Sequence, residues 1–133
     1  MDNEKLKEIT GMKIMMVESI IGYKFPNEFK SYYKSLNDIR VKKELYIDGM
    51  EKVLRFFYSM DSESKLYIVK YINFDSKYSS ILIPVGEFEF GDLLCFDKNT
   101  NYIFLYNHEE DSITKLANSF ELFKEEYLID KNE

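Results

Sequence analysis

A chain of 133 residues, 45% hydrophobic and 17% aromatic, carries enough apolar surface to bury one core without metal or disulfide staples, which excludes disorder and predicts a single domain over residues 1–133. Its net charge of −6 argues against nucleic acid and anionic membrane as partners, and it contains no apolar run of membrane-spanning length. The charged opening MDNEKLKE and the single cysteine, Cys95, lead to the expectation of a cytoplasmic protein in a reducing compartment.

In chain order, Leu6, Ile9, Met12, Met16 and Ile20 recur at three- and four-residue intervals and form one apolar face of a helix over about residues 3–21. Gly11 weakens that helix in its middle, Gly22 can stop it, and Pro26 can open a second helix from its first turn. Phe25, Phe29, Tyr32, Tyr33 and Leu36 make the second stripe, ending near Asn37 and Asp38. VKKELYI and VLRFFYS are then predicted strands joined at Ile47-Asp48-Gly49.

KLYIVKYINF, residues 65–74, is nearly continuous in apolar residues, so periodicity cannot separate strand from helix there. ILIPV, GDLLCFD and NYIFLYN read as strands covered on both faces, the last two forming an antiparallel hairpin through the polar loop Asp97–Asn101. Pro84 has no N–H to donate, which predicts an edge or a bulge. Leu116, Phe120, Phe123 and Tyr127 predict a closing helix, with Asn118 and Glu121 spaced as its capping pair. Helices, then strands, then a helix give an α+β domain: a mostly antiparallel mixed sheet packed with N- and C-terminal helices.

The catalytic and cofactor motifs fail on chemistry. Gly86 and Gly91 share the spacing of a phosphate-binding loop, but Asp92 and Leu93 stand where such a loop needs Lys and Ser or Thr, so the glycines are read as backbone devices. His108 is followed by Glu109, Glu110 and Asp111, which cannot all converge on one ion from adjacent positions without a specially shaped loop. Cys95, between Leu94 and Phe96, reads as a core thiol rather than a nucleophile paired with His108. No cofactor, metal or catalytic constellation is expected.

Charge is unevenly placed. After residue 86 there are twelve acids against four lysines, a net of −8, while the first 86 residues carry +2. A basic partner is the natural complement.

Four segments together resemble the SUKH superfamily. IGYKFPNEFKSYYKSLND resembles its helix-Pro-helix opening, and ILIPVGEFEFGDLLCFD its paired strands around Gly-Asp. NYIFLYNHEED resembles its His-terminated strand, and LANSFELFKEEYL its closing helix. All four stand in the family's order, and they cover about residues 18–128. Two positions depart from the pattern: Asn37-Asp38-Ile39 stands where Asn-Gly-Gly is usual, and Phe90-Gly91 where Gly-Gly is usual.

The resemblance implies a non-enzymatic α+β binder. Bacterial members are mainly immunity proteins that bind and neutralise a cognate toxin, while a yeast member regulates cell-wall synthesis and represents the alternative, a regulatory interaction module without a toxin partner. For the immunity reading the expected partner is a basic toxin domain, such as a nuclease or deaminase. The expected contact acids are Glu87, Glu89, Asp92, Glu109, Glu110 and Asp111, with exposed Tyr102 or Tyr106 as apolar anchors. The expected oligomeric state is monomer or weak dimer.

Overall fold

Helices α1 (Asn3–Ile21) and α2 (Asn27–Ser35) form where the periodicities place them, in a computed structural model that describes residues 2–129. The Asp2 carboxylate caps α1 by accepting from the Lys5 N–H at 2.9 Å. Gly22 closes it in a left-handed conformation at φ 71°, its N–H donating to the Glu18 carbonyl. The helix runs unbroken through Gly11, and Pro26 sits at the cap position of α2, just outside the first turn.

The two apolar stripes have different fates. Phe29 and Tyr33 of α2 are buried. The α1 stripe is not: Leu6, Ile9, Met12, Met16 and Ile20 are 39–66% exposed, and α1 reaches the core through Ile14 and Val17 on its other side.

Six strands follow: β1 (Lys43–Ile47), β2 (Met50–Phe57), β3 (Leu82–Phe88), β4 (Leu93–Asp97), β5 (Ile103–Asn107) and β6 (Ser112–Ala117). They lie in sequence order, every neighbouring pair antiparallel. Pro84 is therefore central in the sheet, and its missing N–H is accommodated by a register shift between Pro84 and Gly86. The released Val85 carbonyl accepts from the Tyr58 N–H at 2.9 Å. A Cβ on Gly86 would stand 2.9 Å from the Phe56 carbonyl oxygen, so only glycine fits the bulge.

One sheet face packs on the helices: Phe57 against Phe29 and Tyr32, and Phe96 against Phe25, Phe29 and Phe120. The other face is covered by the long connection between β2 and β3, where Tyr71 stacks on Tyr58 and both Phe74 and Tyr78 meet Tyr106 edge-on. Covering on both faces explains the continuous burial of β3 and β4. The ambiguous segment, residues 65–74, is neither strand nor α-helix. It holds a single 3-10 turn, Ile68–Tyr71, with Ile68 fully buried.

The chain end departs from the periodic reading. Leu116 belongs to β6, and α3 (Phe120–Phe123) starts one residue later than the predicted capping pair allows. The cap is Ser119, whose hydroxyl accepts from the Leu122 N–H at 3.1 Å, in place of Asn118 with Glu121. A wider π-turn, Lys124–Leu128, continues it and brings Tyr127 against Phe123.

Candidate partner-binding site

Strand order decides which turns are neighbours. In a sheet that meanders from β1 to β6, the β1–β2, β3–β4 and β5–β6 turns must share one end, and the other connections the opposite end. The first group gathers Asp48, Glu89, Phe90, His108, Glu109 and Glu110, all exposed, with Met50 and Glu51 exposed at the start of β2.

A buried carboxylate ties this end together. Asp92 accepts from the His108 backbone N–H at 3.3 Å and from its ring Nδ1 at 2.9 Å, which puts the imidazole proton on Nδ1. Its second oxygen meets the Lys52 ammonium at 3.4 Å. One side chain thus joins β2, the β3–β4 turn and the β5–β6 turn. Gly91, at φ 93°, lets the His108 ring lie close, since a Cβ there would stand 3.2 Å from the ring.

The turn held in this way projects an aromatic. Phe90 is 88% exposed and sits at φ 68°, a left-handed conformation that costs a non-glycine residue about 1–2 kcal/mol. The Phe88 N–H donates to the Asp92 carbonyl across the turn at 2.8 Å, closing it behind Phe90. A strained, outward-pointing phenylalanine with acids around it contributes nothing to the core.

The expected contact residues divide. Glu89, Glu109 and Glu110 are exposed at this end. Glu87 is turned inward, accepting from the Tyr58 hydroxyl at 3.0 Å and pairing with Arg55 at 3.4 Å; burial, with the nearby Glu87 carboxylate, pushes the Tyr58 hydroxyl pKa well above its usual range. Asp92 is the buried brace. Asp111 accepts from the Ser76 hydroxyl at 2.6 Å and the Tyr106 hydroxyl at 2.7 Å, bonds that lower its pKa and pin the β2–β3 connection.

The two tyrosines do not join the acids as anchors. Tyr106, expected to be exposed, is buried at 3%, because its ring is clamped between the sheet and Phe74. Tyr102 is half-buried at the opposite end of the sheet beside the β4–β5 turn, with the Lys115 ammonium 3.8 Å above its ring. Sequence reasoning missed Phe90, Met50, Asp48 and Glu51. The topology of consecutive hairpins was the available signal for the acids, but a phenylalanine in an apolar run reads as core.

The acidic end has a cationic border. Beside Glu89 a concavity of about 400 Å³ is lined by Arg40, Lys42 and Arg55 over Val53, Phe56 and Leu66. Arg40 is held by Asp38 at 2.9 Å and Arg55 by Glu87.

Among the described residues no three of His, Cys, Asp or Glu are grouped to hold a metal ion. Burial pushes the Cys95 thiol well above its ordinary range, which keeps it protonated and unreactive. No helix among those residues is long and apolar enough to cross a membrane.

The sequence model of the SUKH family described as SMI1-KNR4 cell-wall matches residues 12–123. No curated protein and no solved structure matches the chain. The match covers most of the sequence, and the chain belongs to this family.

Proposed function

Starting from that membership, we propose that this protein is an immunity protein that neutralises a basic bacterial toxin domain by direct contact through the acidic turn end of its sheet. Nuclease and deaminase toxins fit the chemistry, since a cleft that holds a polyanion presents cations to an acidic surface. The observation that carries the reading is Phe90: an exposed aromatic in a strained, braced turn, at the same end of the sheet as the exposed acids Asp48, Glu51, Glu89, Glu109 and Glu110. Interface hot spots have this composition, an aromatic that enters a pocket with charges that steer and exclude water around it.

Binding of the purified chain to the toxin encoded beside it tests the reading. Phe90→Ala weakens the complex at least about 30-fold, mainly through faster dissociation, while the thermal midpoint of the free protein stays in place. Reversing Glu89, Glu109 and Glu110 to lysine slows association by about tenfold or more and flattens its salt dependence. Unchanged affinity in both variants removes this face from the contact.

The family's cell-wall description favours a second reading, a regulatory module that binds a host protein. The two separate on rescue. Co-expression that restores growth to cells making the neighbouring toxin supports immunity; failure to rescue, with a host protein captured through Phe90, supports regulation.

A further inference from the structure

Among the described residues, the apolar stripe of α1 lies outside the core. Leu6, Ile9, Met12, Met15, Met16 and Ile20 are 39–68% exposed, although their spacing is that of a packed helix face. Such a patch on a lone small protein ordinarily marks an interface. We infer that α1 packs antiparallel against α1 of a second copy of this chain, Met12 on Met16 and Ile9 on Ile20, about a two-fold axis passing near residue 14.

Three observations select a second copy over another occupant. First, Ile9, Met12, Met16 and Ile20 read Ile-Met-Met-Ile in either direction. A two-fold interface brings one patch against itself, so an antiparallel pair matches isoleucine with isoleucine and methionine with methionine along about 17 Å of helix. Methionine's flexible thioether fills the gaps left by the three- and four-residue intervals.

Second, between the helical residues that this register pairs, no like charges stand face to face. Lys13 falls opposite Met15 and is already paired with Asp61 at 3.3 Å. Lys5 falls beyond Ile21, the last residue of the opposing helix. Glu18 is turned inward, accepting from the Phe25 N–H at 2.8 Å and pairing with Lys30 at 3.6 Å.

Third, the helical layer is close to neutral. Residues 2–36 carry six lysines and five acids, a balance that selects neither a strongly charged partner helix nor an anionic bilayer. The inference stands on α1 alone and is independent of the toxin reading.

Sedimentation velocity of the full chain from about 1 to 100 μM tests it. The expected result is a concentration-dependent shift from 16.0 kDa to twice that mass. Met16→Glu holds the protein at monomer mass throughout, with an unchanged thermal midpoint at the lowest concentration, because Met16 is exposed in the monomer. For the register, Met12→Cys and Met16→Cys chains are mixed and oxidised. The 12–16 disulfide should outrun 12–12 and 16–16, and Cys95, fully buried, stays out of the reaction. A monomer at every concentration, dimers indifferent to Met16→Glu, or dominant 12–12 cross-links would each overturn the pairing.

Discussion

Helices α1 and α2 both carry apolar stripes at helical spacing, and the fold uses them in opposite ways. The α2 stripe is aromatic, and Phe29 alone meets Phe25, Tyr33, Phe57, Phe96 and Phe120 at ring-centroid distances of 5.2–6.2 Å. The α1 stripe is Leu, Ile and Met and touches solvent. The difference teaches that periodicity locates a face without saying what covers it. Large rigid rings fill the space over a sheet that itself presents Phe57 and Phe96, so α2 takes the inner place. Helix α1 then meets the core through Ile14 and Val17 and is clasped at its end by Glu18.

The contrast can be broken most severely at Phe29. Phe29→Ala should lose about 3–5 kcal/mol of stability, read from the denaturant midpoint, since the cavity would open among five other rings. Removing only the hydroxyl of Tyr33 is a gentler test on the same helix. That oxygen accepts from the buried Met60 N–H at 3.1 Å, and Tyr33→Phe should cost about 1–3 kcal/mol by leaving the amide unpaired.

On α1 the signs change. A Cβ on Gly11 would meet only the Lys34 side chain, at an ordinary 3.5 Å, so Gly11→Ala should stabilise the protein by about 0.5–1 kcal/mol through helix propensity. Met12→Ala should move the monomer by less than about 0.5 kcal/mol, and a loss near that of Phe29→Ala would show the stripe to be packed after all.

Local chemistry was legible in the sequence because local rules govern it. Gly22 and Pro26 bracket the helices, Asp97–Asn101 closes its hairpin, and Pro84 needs the bulge it receives. Non-local outcomes were not. The span Ser112–Ala117 is short and half-exposed, and it forms a strand because β5 offers it an edge. Leu116 could therefore be counted into the helix that follows. Residues 65–74 take their shape from the sheet face they cover, which no window of sequence contains.

The candidate site shows the same boundary. That acids gather after residue 86 is visible in the sequence. Which of them are free depends on partners that the fold brings from afar, Ser76 for Asp111, Tyr58 for Glu87, Lys52 and His108 for Asp92. The exposure of Phe90 depends on a backbone conformation that a bulky residue rarely adopts.

The Asp92 brace has a consequence for how such a surface can change. The β3–β4 turn is fixed by Asp92, His108, Lys52 and the backbone, and the β5–β6 turn by the Asn107 side chain, which accepts from the Glu109 and Glu110 N–H groups; among the described residues no hydrogen bond or ion pair uses the side chains of Glu89, Phe90, Glu109 or Glu110. If this end is the contact proposed above, specificity and foldability fall to different residues at one end of the sheet. The tip can be rewritten for a new partner, much as a binding loop is rewritten on a fixed framework, without the core registering the change.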